Sequence, residues 1–195
     1  MIRIAVLGDI GSGKSFISKL FGFPVFNADF EVSKLYRKSR KCYNKLKKKL
    51  PQYILSFPIK KAEISNAILA KKNNLNKIIR IIHPEVRKKM KIFINNNKKS
   101  KFVVLDVPLF IESKMNKKND ILVFIKAEKK EILKRLKKRN NINIKLLKKL
   151  RNLQLPVESK RKKSHFIIKN DFKNKSVKKN VKMILKKILH ARSYT

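Results

Sequence analysis

The glycine-rich segment at residues 8–15 constrains this chain more than any other part of its sequence. It reads Gly-Asp-Ile-Gly-Ser-Gly-Lys-Ser and matches the pattern G-x-x-x-x-G-K-[ST]. An apolar run at residues 2–7 precedes it, and a helix-like stretch follows from Lys14. A strand that ends in such a turn and feeds a helix aims backbone N–H groups at one point, where the helix dipole also favours negative charge. The segment therefore predicts a phosphate-binding loop whose ligand is a nucleotide polyphosphate.

The residue types of this loop have distinct predicted roles. Gly8 and Gly13 allow tight turns and close approach of the backbone to a ligand. The Lys14 side chain is long enough to reach the β and γ phosphates, and the Ser15 hydroxyl is the expected protein ligand of Mg²⁺. The residues predicted to bind the nucleotide in and beside the loop are Gly8, Asp9, Ile10, Gly11, Ser12, Gly13, Lys14, Ser15 and Phe16.

Apolar runs alternate with helical spacing along the rest of the chain. Such alternation predicts the α/β class, with a five-stranded, mostly parallel sheet flanked by helices in three layers. The expected strands are residues 2–7, 25–27, 102–105, 121–125 and 166–168. The expected helices are residues 14–21, 29 to about 50, 63–82, 84–94, 128–139, 144–155 and 176–189.

The carboxyl ends of parallel strands are where ligands bind in sheets of this class. The glycine-rich loop, Asp29 and Asp106 each follow an expected strand. We therefore expect all three to converge on one crevice.

The formal net charge of +41 is the other conspicuous feature of the 195-residue chain. Charge of this size favours nucleic-acid or anionic-membrane partners. The lysines are spread along the whole chain beside many Asn and Ile residues, which is typical of a compositional bias acting on solvated surfaces. We expect no dedicated nucleic-acid partner, although a basic, nucleotide-dependent nucleic-acid-binding protein remains the alternative from another functional class.

The remaining composition indicates a cytoplasmic protein. No apolar run approaches the roughly 20 residues that span a bilayer, so we expect no membrane association. The strand pattern begins at the second residue, and we expect no signal peptide. The single cysteine, Cys42, cannot form an internal disulfide.

Five separated motifs follow one another along nearly the whole chain, namely Asn-Ala-Asp at 27–29, His-Pro-Glu-Val-Arg at 83–87, and the segments 106–112, 135–139 and 154–161. Their residues and their order resemble those of dephospho-coenzyme A kinases. The resemblance implies a P-loop NTPase fold, with ATP and Mg²⁺ as cofactors. It also implies transfer of the ATP γ-phosphate to the 3′-hydroxyl of the adenosine ribose in dephospho-CoA, the last step of CoA synthesis.

The resemblance implies three catalytic residues, namely Lys14, Asp29 and Arg139. Asp29 matches the acidic residue that accepts the proton of the attacking hydroxyl. The alternative for Asp29 is a cap on a helix that starts at Phe30, because Asp is a preferred N-cap residue. Arg139 matches the lid arginine that closes over the ATP phosphates, and Arg135 lies one turn before it. In so cationic a chain, solvated surface arginines are the alternative for both.

The other matched positions are expected to contact either the acceptor or the adenine of ATP. Asn170 falls where a family Asn borders the adenine pocket, with a turn residue as the alternative. Asp106 is suited to orient Mg²⁺-bound water or the acceptor. The positions matched to acceptor binding are Asp29, His83, Arg87, Asp106, Pro108 and Leu109.

The resemblance also implies how a single P-loop kinase domain is divided. The core is expected at about 1–30, 101–127 and 164–195, a helical acceptor-binding insert at about 31–100, and a basic helical lid at about 128–163. We expect a monomer or a weak homo-oligomer whose small-molecule substrate is dephospho-CoA. The nearest alternative among enzymes is a nucleoside monophosphate kinase, whose acceptor is a phosphate and needs no carboxylate base.

The chain departs from the family pattern at several positions. Asp9 replaces a glycine in the loop and places a carboxylate near the phosphates. Asn27 stands where the family usually has Asp, and Asn140 replaces an acidic residue after the lid arginine. Ser164-His165 replaces a small residue plus Asp before the last strand. These departures bear on nucleotide affinity and on the behaviour of the lid.

Overall fold

The computed structural model describes residues 1–138 and 143–192, which form two compact units. Unit 1 contains the described residues of Met1–Asn27, Asn97–Ile142 and Arg151–Thr195. Unit 2 contains the described residues of Ala28–Asn96 and Asn143–Leu150. None of the helices in the described ranges combines the length and the apolar composition needed to cross a membrane.

Unit 1 is built on a five-stranded sheet with the order β2-β3-β1-β4-β5. Every strand pairing is parallel, so the predicted α/β sheet is confirmed. All five residues of β3 are buried, as expected for a strand covered on both faces. The strands are β1 (Ile2–Gly8), β2 (Val25–Asn27), β3 (Phe102–Asp106), β4 (Ile121–Ala127) and β5 (Phe166–Asn170).

The helices of unit 1 cover this sheet and position the loops at its carboxyl edge. They are α1 (Lys14–Leu20), α6 (Lys129–Lys137), α8 (Val157–Lys162) and α9 (Asn174–Arg192). Ile17 of α1 and Phe21, the residue directly after this helix, pack with apolar strand residues and with one face of α9. That face of α9 consists of Val177, Val181, Ile184 and Ile188.

Unit 2 is helical and contains α2 (Ala28–Lys38), α3 (Arg40–Lys49), α4 (Lys61–Ala70), α5 (Asn74–Asn96) and most of α7 (Ile144–Arg151). The continuous helix expected from residue 29 to about 50 is wrong, because Ser39 divides it. The Ser39 hydroxyl accepts a hydrogen bond from the backbone N of Cys42 and so caps a second helix. In the same unit, the Lys149 ammonium donates to the carbonyl oxygens of Ile68 and Leu69.

Pro84 lies inside α5, and the prediction that a helix starts there is wrong. Proline lacks an N–H group and removes one hydrogen bond from a helix. The apolar face of α5 nevertheless continues through this position, because Ile78, Ile82, Val86 and Met90 are all buried at helical spacing. Burial of this face on both sides of an exposed Pro84 keeps the helix in one piece. The chain breaks earlier, between α4 and α5.

The basic region after β4 also differs from the expected helices. The helix expected at residues 144–155 ends at Arg151, and the short helix α8 was not predicted. Pro156 stands immediately before α8. Proline is well tolerated at the start of a helix, whereas in the interior of a helix it removes a hydrogen bond, so it separates α8 from the preceding chain.

Candidate active site

The glycine-rich loop connects Gly8, the last residue of β1, to Lys14, the first residue of α1. Gly13 precedes α1 in the left-handed region, with φ 91° and ψ 17°. A Cβ atom at Gly13 would collide with Nδ2 of Asn170, and one at Gly8 would lie 2.7 Å from the Ser12 hydroxyl oxygen. Both glycines are therefore needed where the backbone closes tightly into a cradle.

Lys14 holds the beginning of the loop. Its ammonium nitrogen donates to the backbone oxygen of Asp9 at 2.8 Å and to that of Gly8 at 3.2 Å. These bonds place the positive charge at the carboxyl end of β1, beside the N-terminus of α1. Both the ammonium group and the helix dipole favour an anion at this end of the sheet.

The Ser12 hydroxyl is buried inside the loop. Among the described residues, none forms a hydrogen bond with it. A buried hydroxyl without a partner is unfavourable unless a polar ligand or water satisfies it. Together with the cradle at Gly8 and Gly13, this hydroxyl fits a loop that is completed by a polar ligand.

Asn170 joins the end of β5 to the glycine-rich loop. Its side-chain nitrogen donates to the backbone oxygen of Ser12 at 2.7 Å. Its side-chain oxygen accepts from the backbone N of Phe172 at 2.9 Å. Asn170 is buried, and it organises both the turn after β5 and the loop beneath it.

A cavity of about 300 Å³ opens beside the loop. One wall is a cation–π pair in which the Arg135 guanidinium lies 4.4 Å from the centre of the Phe172 ring. Phe172 has a φ of 61°, in the left-handed region that favours glycine. The cavity is lined by Gly13, Phe16, Arg135, Asn170, Phe172 and Asn174.

Both carboxylate oxygens of Asp9 are engaged. One accepts a hydrogen bond from the backbone N of Ile10 at 2.7 Å. The other forms an ion pair with Nη2 of Arg151 at 3.1 Å. The carboxylate that the sequence places in the loop is therefore matched by a guanidinium in the same unit.

Asp106 ends β3 beside β1 and β2. Its carboxylate accepts a hydrogen bond from the side-chain nitrogen of Asn27 at 2.6 Å, where the register aligns the two residues. An amide at position 27 donates to this buried carboxylate, whereas a second carboxylate would repel it. The half-buried Pro108 and Leu109 follow in the chain.

Three residues matched to the acceptor lie in unit 2. Asp29 is the second residue of α2, which begins at Ala28, so the expectation that it caps a helix starting at Phe30 is wrong. Its exposed carboxylate lies in the first turn, where negative charge is favourable. His83 and Arg87 are one turn apart on α5. Partial burial lowers the pKa of His83, and the nearby Arg87 charge lowers it further.

The structure therefore brings together the glycine-rich loop, Arg135 and Asn170 in unit 1. Convergence of Asp29 with this loop stays a prediction. Arg139 and Asn140 lie outside the described residues. Within residues 1–138 and 143–192, no group of three or more His, Cys, Asp or Glu side chains is placed to hold a metal ion.

Comparison with known proteins decides the family. The family model described as "Dephospho-CoA kinase" matches residues 2–176. The chain belongs to the dephospho-CoA kinase family. A dephospho-CoA kinase of Wolbachia sp. subsp. Brugia malayi is 35% identical over 187 residues, which cover 93% of this chain and 95% of that relative.

Solved structures agree on the P-loop kinase fold. The crystal structure of TT1252 from Thermus thermophilus has a TM-score of 0.77 at 23% identity, covering 98% of this chain and 97% of that one. Dephospho-CoA kinase from Campylobacter jejuni has a TM-score of 0.61 at 23% identity, covering 95% of this chain and 96% of that one. At this level of identity the likeness concerns the fold.

The segment at 154–161 that resembles the kinase family forms a buried polar network. The ammonium group of Lys160 is buried and lies 2.7 Å from the side-chain oxygen of Gln154. The same ammonium lies 3.0 Å from a Glu112 carboxylate oxygen, which also accepts the backbone N–H of Leu155. A buried charge requires such partners, and these ones attach the segment to the loop after β3.

His165, one of the departures from the kinase family, pairs with β4. Its Nδ1 accepts from the backbone N of Leu122, and its own backbone N donates to the Leu122 oxygen, both at 2.9 Å. An Asp at this position also has a side-chain acceptor a short distance from Cβ. The substitution thus keeps an acceptor beside β4.

Three residues of this site were absent from the sequence-based prediction, namely Phe172, Asn174 and Arg151. Phe172 follows Asn170 by two positions, and only its contact with Arg135 reveals it as part of the cavity wall. Arg151 is one of 53 Lys and Arg residues, and no local signal separates it from the others. The unexpected carboxylate at Asp9 was the available signal, because a charge in such a loop calls for a partner.

Proposed function

We propose that this chain transfers the γ-phosphoryl group of ATP to the 3′-hydroxyl of the ribose in dephospho-CoA, forming CoA and ADP. The bond between O3′ and the γ phosphorus forms as the bond from that phosphorus to the β–γ bridging oxygen breaks. The hydroxyl proton passes to a carboxylate base. The observation that carries this proposal is a fully formed phosphate loop in a chain that matches the dephospho-CoA kinase family over residues 2–176.

The phosphate loop supplies most of the charge stabilisation. Gly8 and Gly13 leave room for the phosphates to approach the backbone, and the N-terminus of α1 favours their charge. The Lys14 ammonium, which rests on loop carbonyls, is placed to exchange those contacts for the β and γ phosphates. Phosphoryl transfer depends on positioning and charge neutralisation, and this loop offers both.

The cavity beside the loop suits the adenine base. Its volume of about 300 Å³ lies at the lower end for small-ligand sites. The Arg135 guanidinium and the Phe172 ring are both planar groups that stack on a nucleobase. Asn170 contributes an amide at the edge of the cavity. Gly13 would thus lie between the adenine in the cavity and the phosphates in the loop.

The residues present also fit Mg²⁺, which takes oxygen ligands and usually keeps several water molecules. The exposed Ser15 hydroxyl at the start of α1 would be a direct ligand. The Asp106 carboxylate at the end of β3 would hold bound water or the acceptor. When bound, Mg²⁺ neutralises phosphate charge. Two donors, together with phosphates and water, are enough for this ion.

We assign the acceptor roles residue by residue. Asp29 would orient the 3′-hydroxyl and accept its proton late in a loose transition state. His83 and Arg87 would bind the phosphates of the acceptor, with Arg87 supplying the charge. Pro108 and Leu109 would form the wall on the CoA side. Arg139 would close over the ATP phosphates and help to exclude water.

We further propose a cytoplasmic enzyme that acts as a monomer or a weak homo-oligomer. Dephospho-CoA would be its small-molecule partner. The even distribution of lysine along the chain supports background charge in place of a nucleic-acid interface.

An acceptor competition assay tests the reaction. The protein is supplied with Mg-ATP and with dephospho-CoA, AMP and other nucleoside monophosphates together, and the products are resolved by mass. We expect CoA to be the dominant product. Formation of nucleoside diphosphates without CoA would identify a nucleoside monophosphate kinase and overturn the proposal. The variant Lys14→Met serves as the inactive control.

A further inference from the structure

The carboxylate of Asp9 creates an electrostatic problem for a loop that binds a polyphosphate. Asp9 follows Gly8 directly, and its own backbone oxygen is a partner of the Lys14 ammonium. Negative charge in a loop that binds phosphates weakens their binding, because Coulomb repulsion over less than about 10 Å is only partly screened by salt. Asp9 is moreover one of only 12 acidic residues in the chain, so its place in the loop is not a consequence of abundance.

Arg151 meets this carboxylate directly. Its Nη2 lies 3.1 Å from the Asp9 oxygen that the Ile10 amide does not use. The Asp9 side chain is 19% exposed and that of Arg151 is 45% exposed, so the carboxylate is the more enclosed partner. A guanidinium stays charged at every physiological pH and therefore offsets the carboxylate permanently.

We propose that Arg151 is a positioning residue for the phosphate loop, acting through Asp9. Its guanidinium neutralises Asp9 and fixes the direction of that carboxylate, so that the other Asp9 oxygen holds the Ile10 amide. The loop then presents its N–H groups and Lys14 to the ATP phosphates without an opposing charge. This inference rests on the proposed function only in taking ATP as the nucleotide.

The position of Asp9 distinguishes this pair from an ordinary surface ion pair. Arg161 and Glu158 form a comparable Arg–carboxylate contact at 2.8 Å within α8, and both of their side chains are well exposed. Exposed pairs of this kind contribute little to stability. Removing the arginine from either pair is therefore expected to have a small effect on folding. Only at Arg151 does it leave an unmatched carboxylate beside the nucleotide phosphates.

Binding of Mg-ATP without any acceptor tests the inference by isothermal titration calorimetry. We expect Arg151→Ala to raise the Kd for Mg-ATP by roughly tenfold. The substitution Asp9→Asn keeps an acceptor for the Ile10 amide and removes the charge. We therefore expect the double variant with Asp9→Asn and Arg151→Ala to bind within about twofold of Asp9→Asn alone. Arg151→Lys, which keeps the positive charge, should recover most of the affinity.

Three results would overturn the proposal. An unchanged Kd in Arg151→Ala would show that the pair has no influence on the loop. A double variant as weak as Arg151→Ala would show that Arg151 binds phosphate itself and does not act through Asp9. An equal loss in Arg161→Ala would show a general effect of positive charge. Because no acceptor is present, none of these results depends on whether the wild-type protein forms CoA, which the competition assay decides separately.

Discussion

The residues proposed to bind the nucleotide in unit 1 and those proposed to bind the acceptor in unit 2 differ in how they are held. In unit 1, backbone conformation and buried contacts define the loop, as in the collision that any side chain at Gly13 would have with Asn170. In unit 2, the groups proposed to bind the acceptor are side chains on helices. Asp29 and Arg87 are exposed, and His83 is half-buried. A site built from backbone tolerates few substitutions, whereas a site built from helix side chains can change its ligand by single replacements.

Lys14→Met tests the nucleotide side and should have the largest effect. It removes the ammonium charge from the loop while keeping an unbranched side chain. We expect the rate of CoA formation to fall on the order of 10³-fold, because fixed charges at the transferred phosphoryl group supply several kcal/mol of transition-state stabilisation. Steady-state assays with saturating dephospho-CoA measure this. The control is Lys19→Met in the same helix, and a loss of less than tenfold in Lys14→Met contradicts the assignment.

Asp29→Asn tests whether unit 2 contributes chemistry as well as binding. We expect kcat to fall about 100-fold with little change in the KM for ATP, because the amide no longer accepts the hydroxyl proton. Glu31→Gln is the matched control. It removes a carboxylate from the same first turn of α2, where Glu31 pairs with Lys34 and Lys89. If the two variants lose equal activity, Asp29 acts only through the charge of the helix terminus.

Gly13→Ala tests whether the loop depends on backbone geometry. The added methyl group must displace the Asn170 amide, which breaks its bond to Ser12. We expect the KM for ATP to rise about tenfold and the free energy of unfolding to fall by about 1–2 kcal/mol.

Gly22→Ala separates these two effects. Gly22 has a φ of 75°, but a Cβ atom there has no neighbour within 4 Å. The free energy of unfolding of Gly22→Ala should fall by about 1 kcal/mol, because only the backbone conformation disfavours a side chain there. Its KM for ATP should stay unchanged. Urea unfolding and steady-state kinetics measure both quantities. A normal KM in Gly13→Ala would show that the loop is more adaptable than its contacts indicate.

Replacement of His83 should have the smallest effect, a change in how thermal stability depends on pH. Its pKa in the folded state lies below the ordinary value, mainly because of burial and then because of Arg87. As the pH falls through about 6.5, His83 therefore takes up a proton more readily in the unfolded chain than in the folded protein. The folded protein loses stability from that pH down to the folded-state pKa of His83.

The substitution His83→Gln removes this titration. The Tm of the variant minus the Tm of wild type should therefore be about 1–2 °C larger at pH 5.5 than at pH 7.5. The difference is small because solvent screens a half-buried group. Thermal unfolding at the two pH values measures the change. Parallel pH dependence in the two proteins would mean that the local environment of His83 does not hold it neutral.

Local chemistry made the sheet and the loop predictable. Each of the five strands was expected within two residues of its observed ends, because β-branched runs between turn residues are a strong local signal. Helix ends were less predictable. The sequence predicts a helix start at Pro84, but burial of the apolar face from Ile78 to Met90 overrides the local preference of proline. Ser39 divides a helix that its apolar spacing alone would join.

The sequence by itself determined the α/β class, the phosphate loop and the family, since each depends on residue types at short, fixed spacing. Only the tertiary structure showed that Asn170 supports the loop, that Phe172 and Arg135 form a cavity wall, and that Arg151 forms an ion pair with Asp9. These contacts join residues 142 and 158 positions apart in the pairs Arg151–Asp9 and Asn170–Ser12. Such partners are chosen by the folding of the sheet, because hydrogen bonds and ion pairs act over a few ångströms and leave no periodic trace in the sequence.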